Sequence, residues 1–584
     1  MSKLKISDET NIARIEHKSK KNMAIGTIVG YLAILVSIAH GLILTPMIMN
    51  SVGVDNYGLY GIATTLTALF LMDFGLNTTT ETYLAKLRAS GNKDKVQRFL
   101  ATIFRIYLLL SIAFVIIISA LYFLSPIIYR SSYTPEQIST LQILIIIVGG
   151  YSLVSFPTNT FSSVITTYEK FGFNKFADLI QKLIYFGLTI ACIKLNWGII
   201  GITAVNAGSG IVAIIMRFFF MRYYLGVKLD PRLKMDASKK EIRSILMFSA
   251  WGLVIAILSR LVYNITPSIL GMVSSSDQVS MFMLVNTIEG YVYMFGAMTG
   301  TFFMAKVARL EASGTPEEKR EKLQSLAGRI GKLQFFVIAL IIFGFATVGQ
   351  EFISFWLRDT LVDYPEFANI YWCILAICAY ELVRIPELPI YNAMLTEGHI
   401  RPLAIITIIK AIINVGLSFV LSSYYGAIGA CAAIAAARII DVTLNNFVYN
   451  KYLGISISRF FKDVYLRGLV TIVISFGLGL ACHFFMPIEN IIGKFMVNGI
   501  IFVITYIFCT LFITFNKNER HYYLNIFFEI LHIKKRVEVD GVVPEVPDKF
   551  PEIEDLQKQE ESNEENASKE SIEEEKKEEN NGQD

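Results

Sequence analysis

Between Tyr380 and Met394 the chain reads Tyr-Glu-Leu-Val-Arg-Ile-Pro-Glu-Leu-Pro-Ile-Tyr-Asn-Ala-Met, inside a long apolar run. Glu381, Arg384 and Glu387 recur every third residue, a spacing that sets three charges along one flank of a helix. Pro386 and Pro389 bring no N–H, so the carbonyls of Leu382 and Ile385 are expected to lose their helical partners and the helix to bend. Loosened carbonyls at membrane depth must face protein or water rather than lipid. Ionisable groups at that depth are candidates for function, although a cluster that satisfies itself only shapes the helix.

Three further basic residues lie far from the ends of their apolar runs: Lys182, Arg260 and Lys410. On an insertion scale each Lys or Arg at a helix centre costs ~2.5–3.5 kcal/mol, so these residues require partners or an aqueous cavity. A cavity lined by Arg and Lys favours an anion. The planar guanidinium fork suits phosphate, and Lys adds a point charge. Arg260, Arg384, Lys410 and Lys182 are therefore the substrate-binding candidates, for an anionic, phosphate-bearing cargo. Acids at depth are fewer, and Asp73 and Glu289 are the ion-coupling candidates. Arg438 and Asp441 read as a structural i,i+3 pair, and Arg105, Arg217 and Arg222 as snorkelling residues near helix ends. His40 reads as a packed, hydrogen-bonded histidine.

These residues have to be positioned by membrane helices. The chain has 584 residues, 54% apolar and 17% charged, with mean hydropathy +0.51, which is the balance of a polytopic membrane protein. Its net charge of +4 conceals two regions. Residues 537–584 hold eighteen acids and five lysines, −13, so the rest carries +17. The six cysteines all fall in apolar runs without metal spacing and read as packing residues.

Spans of ~20 apolar residues are needed to cross the hydrocarbon. Fourteen are expected, near 24–48, 55–77, 99–123, 138–162, 175–193, 197–221, 244–270, 277–305, 331–356, 367–393, 402–421, 426–447, 464–485 and 491–514. Lys and Arg crowd the first terminus and the connections after the second, sixth, eighth and twelfth spans. The alternate connections are nearly bare: none in 49–54, 271–276 or 422–425, and Arg130, Lys194, Arg358 and Lys494 elsewhere. This asymmetry puts both termini in the cytoplasm.

An internal repeat follows. Thr45-Pro46 recurs as Thr266-Pro267, and Tyr83-Leu84-Ala85-Lys86 as Phe303-Met304-Ala305-Lys306. Glu169, Lys182, Gly198 and Gly201 recur as Glu397, Lys410, Gly426 and Gly429. The expected fold class is all-α, with two pseudo-symmetric six-helix bundles plus two extra helices. The boundaries are 1–23 cytoplasmic terminus, 24–221 first bundle, 222–243 linker, 244–447 second bundle and 448–514 two added helices. An interfacial amphipathic helix is expected at 515–536 and a disordered acidic tail at 537–584. Two like-oriented halves around a shared cavity are a common build for alternating access.

No Gly-rich phosphate loop, metal spacing or nucleophile elbow is present, so neither an enzyme nor a cofactor or metal is expected, and no nucleic-acid partner. The short outer connections also argue against a membrane glycosyltransferase or polymerase.

Local motifs add a resemblance. Val54-Asp55-Asn56-Tyr57-Gly58-Leu59-Tyr60, then Asp73-Phe74-Gly75-Leu76-Asn77, then Tyr83-Leu84-Ala85-Lys86-Leu87-Arg88-Ala89-Ser90-Gly91 resemble the polysaccharide exporters of the multidrug/oligosaccharidyl-lipid/polysaccharide export superfamily. The resemblance covers roughly residues 20–515. It implies a flippase for polyprenyl-pyrophosphate-linked oligosaccharide in the bacterial inner membrane, acting in cell-surface polysaccharide synthesis alongside polymerase machinery. Asp73 and Gly75 belong to its motif, whereas the basic mid-membrane residues are inferred from depth and charge. Two alternatives stand: an ion-coupled exporter of small organic cations on the same scaffold, and a non-transporting scaffold that docks partners through its tail.

Overall fold

Lipid offers the backbone no hydrogen bonds, so apolar runs of this length must satisfy themselves as helices. The computed structural model describes residues 32, 34–70, 76–89, 93–230, 264–311, 316–485, 489–517, 519 and 520, and among them there is no strand. The described residues up to Thr514 form one compact unit. The expected terminus 1–23, most of the linker, Asp73, Arg260, the core of the interfacial helix and the acidic tail lie outside the described residues.

The first half contains α1 (Ile34–Val52), α2 (Val54–Phe70), α3 (Leu76–Ala89), α4 (Lys93–Ile128), α5 (Pro135–Thr167), α6 (Phe171–Lys194) and α7 (Gly198–Phe219). The start of α5 has a clear local cause. Thr134 and Gln137 form a reciprocal capping box, and Pro135 occupies the first turn, where its missing N–H costs nothing. The connection expected after the second span is itself largely helical, because α3 occupies it.

The second half contains α8 (Thr266–Val273), α9 (Ser276–Glu311), α10 (Pro316–Trp356), α11 (Ile370–Cys378), α12 (Glu381–Arg384), α13 (Leu388–Thr396) and α14 (Ile400–Leu453). Two further helices follow, α15 (Arg467–Phe485) and α16 (Ile491–Cys509). Ten helices among the described residues are long and apolar enough to cross a membrane.

One of them, α14, runs for 54 residues, roughly 80 Å at the helical rise, against ~30 Å of hydrocarbon. Gly426 divides it, with φ 54° and ψ −134°, a backbone conformation in which a side chain is strained. Gln278 Oε1 accepts the freed Ala427 N–H at 3.0 Å. The division falls beside the charge-free 422–425 stretch expected to separate two spans.

The segment rich in proline is broken more thoroughly than a bend. It has three short helices, with turns at Ala379–Tyr380 and around Pro386. The Ile385 carbonyl, expected to lose its partner, is recovered by the Leu388 N–H at 3.1 Å, because the chain tightens to i→i+3 bonding there.

α2 packs along α9, α5 packs between α4 and α7, α8 packs on α14, and α10 packs against both α15 and α16. A buried apolar cluster runs from Leu44 and Ile62 of the first half to Ile342, Ile377 and Ile434 of the second. The α2–α9 crossing is close. A Cβ on Gly58 would lie 2.1 Å from the Ser276 backbone oxygen. Ser276 also donates to Asp55, and Ser280 to the Val54 carbonyl. The six cysteines are free, and all but Cys482 are buried.

Candidate functional site

A polar cluster lies where α9, the broken α11–α13 segment and both parts of α14 meet. Arg438, Asp441, Asn445 and Tyr449 recur at three- and four-residue steps, so α14 presents them on one face. Each is buried. Facing them are Glu289 of α9 and Tyr380, Glu381, Arg384 and Glu387 of the broken segment.

The pairing is specific. Arg438 Nη2 lies 2.8 Å from Glu289 Oε1, and Nη1 donates to the Ile377 carbonyl at 2.9 Å. The guanidinium also sits 4.9 Å from the Tyr380 ring centroid. Lys410 Nζ lies 3.2 Å from Asp441 Oδ2, which also accepts the Tyr380 hydroxyl at 2.5 Å. Asn446 Nδ2 donates to Glu387 Oε1 at 2.8 Å. The expected Arg438–Asp441 pair is thus replaced by two longer-range pairs. Residues three apart on α14 are close enough to interact, but Arg438 pairs with Glu289 of α9 and Asp441 with Lys410, on the other side of the Gly426 break.

Arg384 is held differently. Its guanidinium lies 4.2 Å from the Tyr391 ring centroid, and Nη1 donates to the Tyr449 hydroxyl at 3.4 Å. It is the one cation of the cluster with no salt bridge to a carboxylate among the described residues. Glu381 is its counterpart. It is 0% exposed, and neither carboxylate oxygen has a hydrogen-bond donor among the described residues. Glu289 and the Arg438 and Arg384 charges are its electrostatic neighbours.

The cluster therefore holds three cations (Arg384, Lys410, Arg438) and four carboxylates (Glu289, Glu381, Glu387, Asp441). It brings together Arg384, Lys410 and Glu289 of the six site residues expected from sequence. Lys410 is matched by Asp441, whereas Arg384 has no carboxylate salt bridge among the described residues. Lys182 has another neighbourhood: its Nζ bonds Ser37 Oγ on α1. The Ser37 carbonyl accepts from Tyr291 of α9 at 3.4 Å, so α6 is linked through α1 to the helix that carries Glu289. Arg260 and Asp73 lie outside the described residues. Arg217, expected to snorkel, forms an ion pair with Asp178 of α6. His40 packs against the Tyr185 ring at 5.1 Å, and its buried Nε2 has no hydrogen-bond partner among the described residues, unlike the bonded histidine expected.

The tyrosine shell, Tyr380, Tyr391 and Tyr449, and Asn446 were not among the site residues expected from the sequence. The available signal was the Asn445-Asn446 pair in an apolar span, four residues beyond Asp441.

The family model described as polysaccharide biosynthesis protein matches residues 23–302. No curated protein matches the chain by sequence. Among solved structures, the lipid II flippase MurJ in an inward closed conformation is similar at TM-score 0.62 and 15% identity, over 87% of this chain and 100% of MurJ. An inward-facing multidrug resistance MATE family transporter of the MOP superfamily is similar at 0.57 and 13%, over 73% of this chain and 98% of its own. A MOP superfamily transporter from Pyrococcus furiosus, whose binding pocket has reversed polarity, is similar at 0.54 and 13%, over 75% and 96%. At these identities the likeness is one of fold.

Proposed function

We infer that this chain, whose residues 23–302 match the polysaccharide biosynthesis protein model and whose helices resemble the MurJ and MATE fold, moves polyprenyl-pyrophosphate-linked oligosaccharide across the bilayer. Transfer runs from the cytoplasmic to the outer leaflet of the bacterial inner membrane, for cell-surface polysaccharide synthesis. The chain crosses fourteen times with both termini inside, as bundles 24–221 and 244–447 and an added pair within 448–514.

The observation that carries the reading is Arg384, a guanidinium within a membrane-spanning segment, stacked on Tyr391 and free of any carboxylate salt bridge among the described residues. Its fork suits a pyrophosphate oxygen pair. Arg260, Lys410 and Lys182 add positive potential around the path rather than a second clamp. The glycan passes through the aqueous cavity while the lipid tail stays in the bilayer. The breaks at Pro386 and Pro389 let the halves rock. With no nucleotide loop in the sequence, an ion gradient or downstream consumption of product gives direction, with Glu289 and Asp73 as coupling groups.

One observation favours the alternative of an organic-cation exporter: Glu381, buried with no donor on either oxygen among the described residues. Depletion in cells separates the two readings. The flippase reading expects lipid-linked glycan to build up on the inner leaflet. The cation reading expects an unchanged glycan distribution and retained organic cations, with export abolished by Glu289→Gln.

A further inference from the structure

A second ionisable cluster lies away from the Arg384 site, where the two added helices meet α10. Glu351, in the last two turns of α10, is 7% exposed. His483, near the end of α15, places Nδ1 2.8 Å from Glu351 Oε1, an ion-pair distance without hydrogen-bond alignment. Lys494, in the first turn of α16, places Nζ 3.7 Å from the same oxygen and 3.4 Å from His483 Nε2. Three helices therefore converge on one buried carboxylate. Tyr371 of α11 lies within electrostatic reach of Glu351. Among the described residues, Glu489 in the turn before α16, and Arg358, Asp359 and Asp363 after α10, are further ionisable groups at this end, and all four are exposed.

The geometry limits the charges this cluster can hold. A buried carboxylate calls for one cation. With His483 neutral, Lys494 is that cation, and Nε2 can accept one of its N–H groups. With His483 protonated, both ring nitrogens are donors. Nε2–H then faces an ammonium 3.4 Å away, while Nδ1 becomes a cation 2.8 Å from the carboxylate. Two cations at that separation repel, and the nearer one is sufficient for Glu351. Lys494 is the one released, because its side chain is the more exposed, at 25% against 20%, and sits on a long flexible stem.

We propose that Glu351, His483 and Lys494 form an acid-sensitive latch on the added helices. At neutral pH Lys494 fastens the start of α16 to α10. When His483 takes a proton it replaces Lys494 as the partner of Glu351, so α15 stays fastened and α16 is let go. Histidine is the side chain whose charge changes between pH 5 and 8. On the topology of the preceding section, on which the sidedness of the latch rests, this end faces outward. The latch then senses the external medium and frees α16 at low pH.

The test is amide hydrogen exchange of the purified full-length protein at pH 7 and pH 5, corrected for intrinsic rates, and it uses no transport readout. A failed latch and a failed flippase reading would therefore be seen separately. In the parent, protection of residues 491–498 is expected to fall about tenfold at pH 5 while that of α15 stays level, the scale of one charge-assisted bond lost. His483→Gln, which can still accept from Lys494 and donate to Glu351, keeps protection at both pH values. Lys494→Gln lacks it at both. The same pH response in His483→Gln as in the parent, or parental protection in Lys494→Gln, overturns the proposal.

Discussion

Arg384→Ala, expressed at the parental level, is expected to lower glycan export by about ten- to a hundredfold and to leave lipid-linked sugar on the inner leaflet. The magnitude follows from the ~1.5–3 kcal/mol carried by a hydrogen bond to a charged group. The effect should fall on transport rather than on folding. Arg384 stacks on Tyr391 and touches the Tyr449 hydroxyl, and no salt-bridged carboxylate loses its partner when the guanidinium goes. Glu387 keeps its bond from Asn446. Arg384→Lys should recover only part of the export, because an ammonium supplies the charge without the planar fork. Unchanged export by Arg384→Ala in cells that hold normal amounts of the protein would remove this residue from the substrate path.

Arg438→Ala is expected to have the largest effect on stability, ~3–5 kcal/mol, the range for breaking a buried ion pair from one side. Arg438 is 4% exposed and compensates Glu289 at 2.8 Å, with Glu381 close by. Its removal leaves Glu289 without its cation, beside the buried Glu381. Thermal unfolding in detergent should show a clearly lower midpoint. Adding Glu289→Gln should restore much of the loss, since the interaction energy of the pair is what a double-mutant cycle isolates. A single variant that melts with the parent, or a double variant no better than the single, would show that the pair does not hold α9 to α14.

The all-helical character of the chain was legible in the sequence, whereas the contacts between the helices were not. The charge-free 422–425 stretch sits next to the break at Gly426. Pro386 and Pro389 announce one break in the 370–396 segment. The other, at Ala379–Tyr380, has no proline and is fixed by packing: Tyr380 turns its hydroxyl to Asp441 and its ring to Arg438. Partner choice was not legible. Arg438 and Asp441 are neighbours along α14, yet Arg438 pairs with Glu289, 149 residues away. Which pairing wins depends on how α9 and the broken segment are rotated about their axes, and no local pattern encodes that. The same limit explains Lys410 and Lys182. The repeat read from the sequence aligns them, yet one meets Asp441 and the other Ser37, because the residues opposite them differ.

The most direct measurement is leaflet transfer in sealed vesicles containing the purified protein and a labelled polyprenyl-pyrophosphate-linked oligosaccharide, with and without an imposed ion gradient. The label should become accessible on the opposite leaflet with the parent protein and stay largely behind with Arg384→Ala. Transfer by the parent no faster than in protein-free vesicles, under every gradient, would contradict the account.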